Sequence, residues 1–437
     1  MRYRYREYLV VMAVSLATVL GAFQNSADLL TQARAAIKAG DLAAAEVHLK
    51  SAVDADDANA EVHFELSRLL LDRDNLKGTQ THLKKAIELD GRNQDYRDFA
   101  EKVSVISSAM SQASRTFDEQ EYEKAAGEYE GIITKYPRFA SAYYGLGLSL
   151  MKASMLKGAA DAFRNAAELN PEDQRYSMAL RKLVADQYNE GNRRYNTRDW
   201  EAAIESYVSA IDLDPTFVQA YYRQARCERN LGDPEAALET LDRALAVRPD
   251  YVTAIIEKGN ILRSQSRGPE AEETYRMAIA FDATSSDAYV GLGAVLRTDR
   301  RDEAIRTFEM AISLNPKNST AHEYLGEIYS DQENWKKALD HLSTASKLKP
   351  KDYRTHWRLS VAYNATDKSE DARQSARQSV NLKKTFEYGW YELGVAEKAL
   401  GNRQAAIEAF KNAEKGRDGA IRKTARYELQ QLDASSQ

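Results

Sequence analysis

The chain has 437 residues, 43% of them hydrophobic and 29% charged, with only 8 prolines, which excludes a membrane bundle and a disordered chain. A formal charge of −5, a pI near 5.9 and no basic tail exclude a sequence-independent grip on phosphate backbones, so no nucleic acid is expected as a partner. The one cysteine, Cys227, rules out an internal disulfide.

The first element is a short N-terminal segment. Arg2, Arg4 and Arg6 precede the uncharged run Leu9 to Phe23, LVVMAVSLATVLGAF, which is the layout of a secretory signal. The run falls short of the roughly 18 residues that span a bilayer, and Leu20-Gly21-Ala22 offers a cleavage site. Residues 1–22 are therefore expected to be a signal peptide or N-terminal membrane anchor. The remainder is placed outside the cytoplasm, in a periplasm or secretory lumen, and engages a membrane only through residues 9–23.

From residue 26 to residue 420 one pattern recurs. Alanine holds one register at Ala45, Ala125, Ala159, Ala203, Ala237, Ala271, Ala304, Ala338, Ala372 and Ala406, usually at steps of 34, with Thr79 the exception. A second small residue follows seven positions later at Ala52, Ala86, Ala166, Ala210, Ala244, Ala278, Ala311, Ala345 and Ala413. A third register, twelve positions before the first (eleven for Gly293), is small throughout: Ala33, Ser67, Ala113, Gly147, Gly191, Ala225, Gly259, Gly293, Gly326, Ser360 and Gly394. Small residues there let helix axes approach closely. The intervening spacing is helical, as in Tyr143, Leu146, Gly147 and Leu150, then Ala159, Phe163 and Ala166. Each copy reads as a helical hairpin.

Turns within hairpins are expected at Gly40-Asp41, Gly232-Asp233-Pro234, Gly268-Pro269 and Gly401-Asn402, with glycine ending one helix. Turns between hairpins carry Pro137, Pro171, Pro215, Pro249, Pro316 and Pro350, where a missing N–H costs least. Two steps are longer than the rest, Ala86 to Ile132 and Ala166 to Ala210, and the inserted residues keep helical spacing. Lengthened helices are expected there. They divide the array into repeats 1–2 (26–93), a lengthened helix with repeats 3–4 (94–173), and a lengthened helix with repeats 5–11 (174–420). Residues 421–437, with Ile421, Ala425, Leu429 and Leu432 on one face, read as a capping helix and tail.

The pattern, complete in LGDPEAALETLDRALAVRPD (231–250) and YLGEIYSDQENWKKALDHLSTASKLKP (324–350), resembles the tetratricopeptide repeat family over most of the chain. Pentatricopeptide arrays, which read RNA, run one residue longer and lack the alanine pair. The resemblance implies an all-α, right-handed superhelical solenoid of about eleven helix-turn-helix repeats closed by a C-terminal capping helix. It also implies a non-catalytic adaptor or scaffold that holds a peptide or partner protein in a concave groove, and the arginines of the stripe described next would suit partners with acidic segments.

In such arrays the groove is lined by a stripe set well away around the helix from the packing face. Here repeats 5 to 7 place Tyr188, Asn192 and Tyr195, then Tyr222, Arg226 and Arg229, then Asn260 and Arg263 on that stripe. Aromatic faces, amides and guanidinium groups are what peptide recognition uses. A second candidate patch in repeats 10 and 11 is Arg354, Trp357, Asn364, Tyr388 and Tyr391, for which packing against the cap is the competing reading. The clamp that holds acidic chaperone tails in this family, Lys, Asn, Asn, Lys, Arg, corresponds to Tyr188, Asn192, Arg223, Thr253 and Glu257. Only Asn192 matches, so that ligand is not carried over.

No catalytic residue, metal or cofactor is expected. His322-Glu323 begins like a zincin helix, but the second histidine is replaced by Gly326, and the six histidines otherwise scatter without ligand spacing. Gly145-Leu146-Gly147 and Gly291-Leu292-Gly293 lie inside repeat helices with no strand before them. Asp54, Asp56, Asp57 and Glu65 lack the central glycine of a calcium loop, and Cys227, between Arg226 and Arg229, has no histidine near it in sequence. Two other readings stay open: a self-associating scaffold of an envelope or secretory complex, and a co-chaperone-like subunit without its own J domain, since no His-Pro-Asp motif occurs.

Overall fold

A computed structural model describes residues 25–434, and the N-terminal segment just discussed lies outside them. The described residues form twenty-three helices and no strand. The chain divides into two compact units, Met1–Pro215 and Thr216–Gln437.

In the first unit the helices are α1 (25–39), α2 (Leu42–Ala55), α3 (Ala60–Asp72), α4 (Leu76–Leu89), α5 (Gln94–Asp118), α6 (Tyr122–Lys135), α7 (Ala140–Lys152), α8 (Leu156–Leu169), α9 (Gln174–Asn196) and α10 (Trp200–Leu213). The insertions lie in α5 and α9, which run 25 and 23 residues against the 13 or 14 of α3, α4, α6, α7, α8 and α10. The second unit holds α11 (Val218–Leu231), α12 (Pro234–Val247), α13 (Val252–Ser264), α14 (Gly268–Phe281), α15 (Ser286–Leu296) and α16 (Arg301–Leu314). It continues with α17 (Ser319–Asp331), α18 (Trp335–Leu348), α19 (Tyr353–Asn364), α20 (Ser369–Leu382), α21 (Glu387–Ala399), α22 (Arg403–Glu414) and α23 (Gly419–Ala434). Helices pair in sequence as antiparallel hairpins, and α23 lays Ala425 and Leu432 against Ala406, Phe410 and Ala413 of α22.

The small register explains how closely the two helices of a hairpin pack. A Cβ on Gly147 would stand 2.5 Å from the Phe163 ring, one on Gly191 2.5 Å from Tyr207, one on Gly259 2.7 Å from Tyr275 and one on Gly394 2.6 Å from Phe410. These four rings have no exposed surface. Each is worth roughly 1.5–3 kcal/mol in removed apolar area, available only because the facing helix has no side chain there. Where the seat is Ala33, Ser67, Ala225 or Ser360, the residue sixteen positions on is Leu49, Leu83, Leu241 or Ala376, though the match is not strict: Gly326 receives Leu342, and Ala113 stands sixteen positions before Tyr129. Tyr275 also abuts Gly291 of the following hairpin, so its ring is flanked by glycine on both sides.

Helix starts are set by side-chain caps. Asp41, Asn59, Asn75, Asn93, Asp173, Asp199, Asp233, Asn318, Asn334 and Asp352 each accept from a backbone N–H in the first turn of the helix they precede.

The turns inside hairpins correct one expectation. Gly40, Gly232 and Gly401 take positive φ of 82°, 86° and 77°, but Gly268 does not; it is the first residue of α14. The left-handed position there belongs to Ser266 (φ 61°), whose N–H and that of Arg267 bond back to Arg263 and Leu262 at 3.1 and 3.0 Å. The same position is filled by Asp74, Gln120, Ser154, Arg198, Glu333 and Asp367 in other hairpins. The backbone hydrogen bonds of the helix end impose the geometry, whether or not a glycine is present to make it easy.

Three stability changes follow. Gly259→Ala drives a methyl into the enclosed Tyr275 ring and is expected to cost about 1–3 kcal/mol, whereas Gly131→Ala, with nothing within 4 Å, is expected to gain up to about 1 kcal/mol. Ser266→Gly relieves left-handed strain and is expected to raise stability by about 0.5–1 kcal/mol. Thermal and urea melts followed by circular dichroism check both signs.

Candidate functional site

The stripe read from repeats 5 to 7 falls in both units, and each part is described where it lies. In the first unit, Tyr188 and Asn192 face the hairpin partner α10. The Asn192 amide oxygen accepts from the hydroxyl of buried Tyr207 at 3.0 Å, and the Tyr188 and Tyr207 rings lie 5.7 Å apart. Tyr195 packs edge-on to Trp200 at 4.8 Å. The asparagine thus has a structural task, since it pairs a hydroxyl that burial removes from water.

The second unit repeats this device: Asn260 accepts from the buried Tyr275 hydroxyl at 2.8 Å, with Arg263 beside the same hydroxyl. Burial pushes the Tyr275 phenol above its ordinary value, and the Arg263 guanidinium opposes that. Around it lies an array of cations on rings. Arg226 stands 5.7 Å over the Tyr222 ring, Tyr222 meets Tyr251 edge-on at 6.3 Å, and Arg248 covers Tyr251 at 4.2 Å. Arg229 contacts the Glu257 carboxylate at 2.5 Å, and Glu257 is 7% exposed. That pairing makes Arg229 the counter-charge of a buried acid as well as a surface cation. The sequence stripe did not include Arg248 or Tyr251, because they precede the helix whose face was being counted.

The second patch is partly assembled. Trp357 and Tyr388 rings lie 5.3 Å apart, with Phe386 5.6 Å from Trp357 and 5.5 Å from Tyr388. Arg354 donates to the Tyr353 hydroxyl at 3.1 Å, and Tyr388 donates to Asp418 at 2.5 Å. Asn364 donates to the Glu392 carbonyl and carboxylate at 3.1 and 2.7 Å, where burial holds that carboxyl above the usual range. Tyr391 instead packs with Phe410 and the α22–α23 cluster, so it belongs to the cap core. Close by, Lys383, Lys384, Trp390, Lys415 and Arg417 line a cavity of about 600 Å³.

Cys227 is buried, and desolvation lifts its thiol to about 12 in spite of Arg223 and Arg226, so the thiolate is disfavoured. Among the described residues no three His, Cys, Asp or Glu side chains converge as a metal cage would need, and no helix is long and apolar enough to cross a membrane.

Two further contacts join residues far apart in sequence. The first corrects the view that the histidines scatter: His63 and His82 meet Nδ1 to Nδ1 at 3.0 Å, as do His322 and His341 at 3.1 Å. Each pair is nineteen residues apart and joined across one hairpin. The second ties distant hairpins of the first unit. Asp74, in the α3–α4 turn, accepts at one carboxylate oxygen from Ser141 and Tyr176, both at 2.5 Å. Its neighbour Arg73 pairs with Glu46 and Glu172, and the Arg73 carbonyl accepts from Asn170 at 3.3 Å.

Tetratricopeptide repeat family models match residues 36–103 and residues 111–176, 188–245, 228–288 and 294–345. The fold defines an all-α helical repeat protein, a class that serves as a protein-interaction scaffold. The chain belongs to the tetratricopeptide repeat family.

One curated relative, anaphase-promoting complex subunit 3 of Schizosaccharomyces pombe (strain 972 / ATCC 24843), is 42% identical over 66 residues, 15% of this chain and 10% of that protein. Among solved structures, yeast Tom70 is similar at 14% identity and TM-score 0.40, over 94% of this chain and 96% of that one. A tetratricopeptide repeat protein from Parabacteroides merdae ATCC 43184 is similar at 14% identity and TM-score 0.41, over 57% of this chain and 98% of that one.

Asp74 provides a pH test of the long-range tie. Burial raises its carboxyl above the ordinary range, more than the Ser141 and Tyr176 hydrogen bonds lower it. A raised folded value means the neutral acid is the favoured partner: its contribution is complete below the unfolded value near ~3.9 and is lost as pH rises through the folded value. Asp74→Asn keeps the acceptor oxygen without the charge. It is expected to stabilise the chain at pH 7.5 and to make no difference at acid pH, as read from urea midpoints at the two pH values.

Proposed function

We propose that this protein is a non-catalytic adaptor outside the cytoplasm, and that a peptide or partner segment carrying acidic side chains binds the face of the second unit built by Tyr222, Arg226, Arg229, Asn260 and Arg263. The observation that carries this reading is the run Arg226, Tyr222, Tyr251, Arg248, in which each cation lies on an aromatic face and the two rings meet. Such an array presents guanidinium groups already oriented for carboxylates, with rings beside them for apolar side chains, so less ordering entropy is lost on binding. The cavity between Lys383, Lys384, Lys415 and Arg417 adds positive charge on the same unit. Location rests on the Arg2, Arg4, Arg6 and Leu9 to Phe23 layout.

Charge reversal tests it, and the structure selects the positions. Arg229 is unsuitable, because its reversal would set a second acid against buried Glu257. The variant Arg226→Glu, Arg263→Glu should retain its helical circular dichroism and lose at least about tenfold in partner affinity, the scale of one or two interface arginines. Affinity capture from the native host with both proteins reads this out. Recovery of the same partners by both would remove this face from consideration.

A further inference from the structure

Four of the six histidines form two pairs of one design, one pair in each unit. His63 (α3) and His322 (α17) stand four residues before the small seats Ser67 and Gly326; His82 (α4) and His341 (α18) stand three residues after Thr79 and Ala338. The α3 and α17 rings are 2% and 8% exposed. Their Nε2 atoms lie 3.1 Å from the Asp57 carbonyl oxygen and 3.2 Å from that of Pro316. A carbonyl can only accept, so Nε2 carries the proton and Nδ1 keeps its lone pair. The facing Nδ1 of His82 or His341 must then donate across the 3.0 or 3.1 Å gap, leaving its own Nε2 unprotonated.

We propose that each pair is a two-imidazole chelate for a divalent transition-metal ion of tetragonal preference, Cu(II) before Ni(II), bound at the two Nδ1 atoms. Nitrogen ligands about 2.0–2.1 Å from an ion and cis to each other stand about 3 Å apart, which is the separation both hairpins provide. Metal-bound histidines ordinarily donate their other N–H to a backbone carbonyl or carboxylate, which fixes the ring; the Asp57 and Pro316 carbonyls already do this. Near the first pair Asp57 also brings a carboxylate oxygen 3.3 Å from His63 Nε2, steadied by Lys85 at 2.8 Å.

The paired rings now face head-on, with centroids 5.2 and 5.3 Å apart. Binding requires the half-buried His82 or His341 ring to turn until both lone pairs meet one point. Its Nδ1 proton passes to its own Nε2 through water, so each neutral pair binds the ion with no net proton release. Water or a partner's side chain completes the coordination, since two protein ligands leave positions open. Imidazole nitrogen and the order of divalent affinities place Cu(II) first. The chain contains its own control: His356 has the same register and the same carbonyl lock, Nε2 to Pro350 oxygen at 3.0 Å, but Ser375 occupies the register where its partner would be.

The test is titration of Cu(II) into the purified chain in a non-coordinating buffer, by calorimetry and by electron paramagnetic resonance. Relative to the double variant His82→Gln, His341→Gln, the wild type should take up about two further equivalents with two-nitrogen signatures, one per pair. Each single variant should lose one equivalent and His356→Gln none. The wild-type chain gives a second reading: Cu(II) should raise its melting midpoint, and EDTA should reverse the rise. Equal copper uptake by wild type and double variant, or no metal-dependent shift in the wild-type melt, overturns the proposal.

Discussion

A ring laid on a helix that has no side chain to meet it is the contact on which the rest of this chain depends. Phe163, Tyr207, Tyr275 and Phe410 are each fully enclosed because Gly147, Gly191, Gly259 and Gly394 let the facing helix come within one methyl group of them. The alternation is mutual. In these four hairpins the ring on the second helix sits against a bare first helix, and that bare helix without its ring would leave a void that close packing does not tolerate. This fixes the distance and rotation of the two helices in a hairpin. It therefore also fixes which residues are turned outward.

The outward residues are not independent of that core. Asn192 and Asn260 sit one residue beyond their seats, and each accepts the hydroxyl of the ring the seat receives. The interaction face and the packing face are consequently linked through a tyrosine whose ring belongs to one and whose hydroxyl belongs to the other. Phenylalanine at the equivalent place, as in Phe163 and Phe308, needs no such partner, and the residue after the seat is Leu148 or Ala294. The amides of the stripe thus follow from the choice of tyrosine in the core, and the cations Arg226, Arg248 and Arg263 are what remain to distinguish one surface from another.

How much of this the sequence revealed divides by range. Hairpins, small seats and the lengthened α5 and α9 are periodic features, and period is what a single sequence displays well. The turns were half legible. Glycine marks Gly40, Gly232 and Gly401, but Ser266, Glu333 and Asp367 adopt the same left-handed backbone without announcing it, and Gly268 drew attention to the wrong residue. The candidate stripe was legible as positions and not as occupations: that Arg229 answers Glu257, or that Tyr391 joins the cap, depends on neighbours from other helices. The histidine pairs carried a faint signal, a spacing of nineteen that occurs twice in one register. Asp74 carried none, since its partners are 67 and 102 residues away.

That last contact alters what kind of object the first unit is. A stack whose members touch only their neighbours is a chain of springs: it can fray from an end, one hairpin at a time, and each loss costs a single interface. Asp74, Ser141 and Tyr176, with Arg73, Asn170 and Glu172 alongside, connect the second hairpin to the fourth and to the start of the fifth. Between them the stack becomes a closed loop, which cannot lose an internal member without breaking a bond at two places. Unzipping from either end stops at that loop, and the hairpins within it form one cooperative block.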